Sequence, residues 1–265
     1  MNTSLWFSAN PDKAWVEKLF LVYSPVWMLI MLAAMVFGWD TSFSDAGLLI
    51  LSLVVALPIL LLPALLAKKY SATPWRQSYW LKANIYLFVF SVFGNYFGSE
   101  YFFDVLGMVY NFPNATTNLD AALVGSGRQQ VPLIMYFLTH AYFMTYHATA
   151  NIVLRRLRNL KLPGGIALFG LFVFVIGYVW AFLETKAMAN PLMEGNFHYE
   201  KMEVMLAYGS AIYALYFIAS FPIYYFIDED KGRSWSLLQV TAGGLSASML
   251  TFFLLDIAAH WVGSL

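Results

Sequence analysis

Apolar residues recur in seven long runs separated by short polar segments. They are roughly Lys18 to Gly38, Ala46 to Ala67, Trp80 to Gly107, Val131 to Leu154, Ile166 to Met188, Val204 to Ile227 and Ser236 to Val262. A helix needs about 20 mostly apolar residues to cross a bilayer core, because every backbone amide must be satisfied within the segment. The pattern predicts an all-α, polytopic transmembrane bundle of about seven spans, with the fourth and seventh the most polar. The longest loop, Met108 to Gln130, is rich in Asn, Thr and Gly and reads as a connector, so no soluble domain is expected. Residues 1–265 should form a single integral-membrane domain without internal repeats. The start, Met1 to Asn10, is too polar for a signal peptide.

The basic residues set an orientation, since cytoplasmic loops collect Lys and Arg. With the N-terminus inside, the inner segments hold Lys13 and Lys18; Lys68, Lys69, Arg76 and Lys82; Arg155, Arg156, Arg158 and Lys161; and Lys231 and Arg233. Only Arg128, Lys186 and Lys201 fall outside. This asymmetry predicts an odd number of spans and a cytoplasmic N-terminus. The membrane would be the endoplasmic reticulum in a eukaryote or the inner membrane in a bacterium.

Composition agrees with a life in lipid. Charged residues make up 11% of the chain, against about 25% in soluble domains. Net charge is zero and the basic residues lie in short loop clusters, so nothing could track a nucleic-acid backbone. The absence of cysteine removes disulfides, thiolate metal ligands and a cysteine nucleophile.

Against this background, ionisable residues at membrane depth stand out, because they are costly there and mark functional sites by default. The third run carries Asn84, Asn95 and Glu100; the fourth His140, His147 and Asn151; the fifth Glu184; the seventh Asp256 and His260. His140, His147 and Asn151 share one helical face, a stripe whose plain structural use would be interhelical hydrogen bonding. Counting back from the outer helix ends at about 1.5 Å per residue places Glu184 at roughly 6 Å, Asp256 at about 9 Å, Glu100 at about 10 Å and His140 at about 14 Å below the boundary. His147 and Asn151 lie deeper. Acids gathered at one level without basic partners remain partly protonated near neutral pH and can donate protons. The plain alternative for Glu184 and Asp256 is that they sit near helix ends and reach the headgroups.

Several familiar chemistries lack their residues. A retinal Schiff base needs a Lys in the last span, which has none. Four histidines are too few for membrane di-iron boxes, and a pair seven apart is separated by about 10 Å along a helix, so no metal is expected. Neither a phosphate-binding loop nor a G-x-S-x-G elbow occurs. A sterol- or lipid-binding or transport protein without catalysis is the competing class. Pro25, Pro58, Pro63 and Pro222 could break helices as in transporters, but 49 Phe, Tyr and Trp residues suit a flat hydrocarbon ligand better than an ion path.

The same segments carry a resemblance. Lys82-Ala83-Asn84, Phe93-Gly94-Asn95-Tyr96, Tyr101-Phe102-Phe103, Phe137-Leu138-Thr139-His140, Tyr146-His147, Asn151 and Leu154 to Arg158 closely resemble the cycloeucalenol cycloisomerases, the cyclopropylsterol isomerases of plant-type sterol synthesis. Leu183-Glu184-Thr185, Tyr213 to Tyr216, Ser220-Phe221-Pro222, Asp228-Glu229 and Leu255-Asp256 continue the match in order, over nearly the whole chain. Glu100 stands where the family pattern suggests His, and the Asn114 to Gln130 loop is longer than the family's. The resemblance implies opening of the 9β,19-cyclopropane ring of cycloeucalenol to give obtusifoliol, with no redox cofactor or metal. The implied partners are a cyclopropyl sterol and membrane lipid.

Such a reaction delivers a proton to the bridging carbon, passes through a tertiary cation and removes a neighbouring proton. Similar depths make Glu184 and His140 the expected acid–base pair, with His147 and Asn151 orienting groups or relaying protons. Asn95, Tyr96 and Tyr146 are candidates for hydrogen bonding and cation shielding, and Glu100 and Asp256 complete the expected substrate-binding set.

Overall fold

The computed structural model describes residues 6–230 and 232–265; Lys231, one of the basic residues that set the expected orientation, lies outside them. Helix α1 (Pro11–Val36) starts where the Asn10 side chain accepts from the Asp12 backbone N–H, with Pro11 at the first helical position. Ser44 caps α2 (Asp45–Tyr70) in the same manner. Helix α3 (Tyr79–Phe93) runs into a π-helical turn at Gly94–Gly98 and continues as α4 (Ser99–Asp104). Then follow α5 (Leu133–Asn159), α6 (Gly165–Met188), α7 (Met202–Phe226) and α8 (Leu237–Val262), the last opened by a reciprocal Ser236–Gln239 capping box.

Five of these, α1, α2, α6, α7 and α8, are long and apolar enough to cross a membrane. The third and fourth runs differ from expectation, each for a physical reason. The third is divided by the π-helical turn, and α5, although 27 residues long, is too polar to qualify. Helix α5 packs against α1, α2, α3, α6 and α7, and most of its residues are buried. A helix surrounded by protein need not present an apolar face to lipid, so hydropathy understates it. The seventh run, expected to be among the most polar, forms a regular helix.

The prolines do not interrupt the bundle. Helix α1 runs through Pro25 and α2 through Pro58 and Pro63. The break occurs instead between two glycines. Any Cβ on Gly98 would collide with the Tyr216 hydroxyl, so the wide turn and its missing side chain let Tyr216 approach α3 closely.

Outside the helices, β1 (Met108–Tyr110) pairs antiparallel with β2 (Phe197–Tyr199), Val109 facing His198. The Gln129 side chain accepts from the Tyr110 N–H and donates to the Met108 carbonyl, both at 2.6 Å, tying the long loop to this ribbon. The expected connector is thus a folded cover over one end of the bundle. Leu29, Leu65, Leu171, Val175, Leu245 and Phe253 remain exposed on the helix flanks, the surface that hydrocarbon would cover in a multi-pass membrane protein.

Candidate active site

Beneath the β-ribbon lies a small cavity of about 60 Å³. Helix α6 contributes Glu184 and Thr185, α5 contributes Thr139, Tyr142 and Phe143, and the π-helical turn contributes Gly94 and Asn95. Tyr213 and Tyr216 of α7 and Tyr110 and Tyr199 of the ribbon complete a wall in which aromatic rings share the lining with Met, Thr and Ser side chains. The Tyr213 hydroxyl donates a hydrogen bond to Glu184 Oε2, and the Tyr146 hydroxyl also interacts with this carboxyl. No Lys, Arg or His forms an ion pair with Glu184 among the described residues. The site is a carboxyl held by phenols, with aromatic faces around it and no fixed counter-charge. Burial in the ribbon pushes the Tyr110 and Tyr199 hydroxyls well above their ordinary pKa, so both stay neutral donors.

The remaining candidates do not converge on this carboxyl. His140 Nε2 lies 2.9 Å from Asn84 Oδ1, and Asn84 donates to the Ile59 and Trp80 carbonyls, so this pair faces α2 and α3. The expected Glu184–His140 pair is not formed. Similar depth does not imply a shared face: His140 stands about 160° around α5 from Tyr142, which lines the Glu184 cavity. His147 is fully buried; Nδ1 donates to the Phe143 carbonyl at 2.7 Å, while Nε2 has no partner. Six aromatic rings surround it, Phe221 and Tyr224 closest at 4.9 and 5.0 Å between centroids.

Asn95 does reach the cavity, its Nδ2 fixed to the Ser91 carbonyl at 2.8 Å. Tyr96 turns away and packs edge-on against Phe97. Glu100 is buried beneath Gly125 and Gly127 of the long loop, with Oε2 unpartnered, and does not line the cavity. Asp256 sits on an exposed face and accepts from the Tyr101 hydroxyl at 2.6 Å. The three carboxyls expected at one level therefore occupy three separate environments. Helical rotation and the folded loop part them, which depth alone could not reveal.

Asn151 belongs to a second polar region at the opposite end. It donates to Glu17 Oε1 at 3.2 Å and to the Tyr79 hydroxyl at 3.3 Å. Arg155 contacts Glu17 at 2.7 Å and Glu229 at 2.6 Å, and Lys13 contacts Glu229 at 3.0 Å. Lys82 pairs with Asp228 at 2.6 Å. Burial would raise the Glu229 carboxyl, but bonds from Arg155 and the nearby Lys13 hold it below its ordinary pKa.

Among the described residues no three His, Asp or Glu side chains are grouped so as to hold a metal ion. The chain is 37% identical to the cycloeucalenol cycloisomerase of Arabidopsis thaliana over 267 residues, covering 98% of this chain and 90% of that protein. The chain belongs to the cycloeucalenol cycloisomerase family. No family model matches it, and no solved structure matches it.

Within this cycloeucalenol cycloisomerase family member, residues not singled out from the sequence complete both polar regions. Tyr213 was one aromatic among many, although it opens a segment shared with the family. Lys13, Lys82 and Arg155 read as topology markers, yet all three are buried in ion pairs. A signal was available: Lys13 and Glu17 are four apart, a spacing that puts opposite charges on one helix face near the start of the first run.

Proposed function

We propose that this protein opens the 9β,19-cyclopropane ring of cycloeucalenol to give obtusifoliol, and that Glu184 is the acid. The observation that carries the assignment is a carboxyl bonded by tyrosine hydroxyls, unpaired with any cation and walled by aromatic rings. Strained C–C bonds are weakly basic, so the proton must come from an acid kept away from water and from neutralising partners. In the forward step the Glu184 O–H transfers its proton to the bridging carbon, and the bond from that carbon to the ring junction breaks. The electron pair of the broken bond forms the new C–H bond, leaving a tertiary cation at the junction and a carboxylate on Glu184. Loss of a proton from the adjacent ring carbon to that carboxylate forms the ring double bond and restores the acid. No atoms are gained or lost.

Tyr213 and Tyr146 orient the carboxyl and stabilise its anionic form during the cation's lifetime, while Phe102, Phe143 and Tyr216 offer ring faces to the cation. Positioned acid–base groups contribute roughly 10² to 10⁴-fold. His140 has no direct part in this scheme, since it does not line the cavity.

The proposed setting is a seven-span bundle with a cytoplasmic N-terminus, α3 with α4 and α5 being the two interior spans. Exposed Lys68, Lys69, Arg158, Lys161 and Arg233 support that orientation. The deciding experiment incubates purified protein with cycloeucalenol in deuterated water. Deuterium in the new angular methyl group is the expected result; unchanged sterol despite binding would assign a sterol-binding role instead.

A further inference from the structure

The cavity beside Glu184 is far below the roughly 300–1,000 Å³ of small-molecule sites, so a four-ring sterol cannot lie wholly within its 60 Å³. A second cavity of about 510 Å³ adjoins it, between the outer halves of α1 and α6, with Tyr142 and Tyr146 of α5 as its floor. Tyr142, Glu184 and Met188 line both. One carboxyl therefore stands at the junction of a small aromatic chamber and a large lateral groove. We propose that this groove is the sterol-binding site, admitting the substrate sideways from the bilayer and presenting its cyclopropane to Glu184. The proposal rests on the isomerase reading above.

Its walls fit a flat, rigid hydrocarbon. Met28, Met31 and Met35 follow one strip of α1 and face Met188 and Met193, an adaptable thioether lining that can close on an irregular ring system. Trp27 and Trp180 add planar surfaces, Trp180 stacked on Tyr146 with centroids 4.5 Å apart. Leu32 and Leu183, each 49% exposed, stand at the mouth, so the groove opens toward the region hydrocarbon would occupy.

Polarity supplies an orientation. Apart from Glu184, the charged and amide groups of the groove are Lys186 and Asn190. Asn190 lies just past the C-terminal end of α6, on the side of Glu184 towards the outer surface. A sterol with its single hydroxyl at Lys186 and Asn190 and its alkyl tail pointing inward along α1 would set its middle rings beside Glu184. A comparable groove of about 600 Å³ between α6 and α7 at the other end has Arg158 and Lys161 at its rim but no carboxyl, and does not reach Glu184.

The test uses the full protein in phosphatidylcholine nanodiscs with a diazirine-bearing cycloeucalenol. Cross-links should fall on the Trp27–Met35 stretch of α1 and on Trp180–Met188, and excess cycloeucalenol but not excess phosphatidylcholine should suppress them. Met31→Trp should raise KM roughly tenfold with kcat within about twofold of wild type, because Met31 lines the groove and not the inner chamber. Leu168→Trp, in the far groove, should leave both unchanged. Cross-links in the far groove, suppression by phosphatidylcholine, or unaltered kinetics in a folded Met31→Trp protein would overturn the assignment. Cross-linking of the wild type decides the matter even where Met31→Trp fails to fold. Absence of turnover by the wild type would instead refute the isomerase reading, and is scored separately from where the sterol is bound.

Discussion

The two polar regions of this bundle spend their carboxyls in opposite ways. At one end Glu17, Asp228 and Glu229 each contact Lys or Arg, and the Asn151 amide and the Ser8 backbone N–H complete the bonding around Glu17. At the other end Glu184 meets tyrosines and aromatic rings. A paired buried carboxylate is held as an anion and has no proton to give; its removal exposes the partner charge to a medium that cannot solvate it. A carboxyl bonded only by phenols can hold or release a proton with little change around it. The contrast teaches that burial of an acid does not by itself mark chemistry. What sets Glu184 apart is the lack of a fixed counter-charge together with its place on the wall of a cavity; Glu100, also without a cation, does not line that cavity.

The largest effect should come from replacing Glu184. Glu184→Gln keeps the shape and the Tyr213 contact but removes the transferable proton, and should lower kcat by about 10³-fold or more while thermal stability in detergent changes little. Turnover within an order of magnitude of wild type in this variant would end the role of Glu184. The matching experiment at the other end is Arg155→Ala, which strands Glu17 in a buried site and leaves Glu229 with Lys13 alone. It should cost about 3–5 kcal/mol in unfolding measurements. The fraction that still folds should keep a near-normal kcat, since Arg155 is remote from the sterol chemistry. A variant that lost kcat without losing stability would collapse the distinction between the two regions.

How far the sequence already carried this contrast depends on the residue. The helices are readable because five runs are long and apolar enough to cross a membrane. The division of the third run at Gly94–Gly98 was not readable, because that turn is chosen by the fit of Tyr216 against Gly98 across the bundle. Glu184 was identifiable because an acid at that depth is rare. Tyr213 was not, being one of 17 tyrosines whose hydroxyl partners are set by tertiary contacts. The ionic end is hidden in the sequence for another reason: a Lys or Arg at a span boundary serves topology and ion pairing alike. Only the acids folding back from Asp228 and Glu229 show which use Lys13, Lys82 and Arg155 have. The stripe of His140, His147 and Asn151 was real as a pattern, yet it joins three unrelated settings spaced along α5.

A smaller effect tests how the tyrosines support the acid. Tyr213 acts through Glu184, so Tyr213→Phe should reduce kcat about tenfold, equivalent to about 1.4 kcal/mol of transition-state stabilisation, with KM little changed. It should also displace the pH profile of kcat, because the Tyr213 hydroxyl bonds the carboxyl that carries the transferred proton. A uniform loss of folded protein with an unmoved profile would reduce Tyr213 to a packing residue.

The smallest effect separates the regions by pH. The Glu229 carboxyl is held below its ordinary value of 4.5 by Arg155 and Lys13 despite its burial. A carboxyl whose pKa is lower in the folded state than in the unfolded chain contributes stability above the unfolded value and loses it as pH falls through the folded one. Unfolding temperature should therefore be insensitive to Glu229 between about pH 6 and 8 and should fall below about pH 4.5. Glu229→Gln should flatten that acid limb while lowering stability at neutral pH, since the neutral amide leaves Lys13 and half of the Arg155 fork without a carboxylate. An acid limb of unchanged steepness in Glu229→Gln would mean that other carboxylates govern the low-pH transition. The ionic end would then owe its stability to Glu17 and Asp228 rather than to the acid that bridges Lys13 and Arg155.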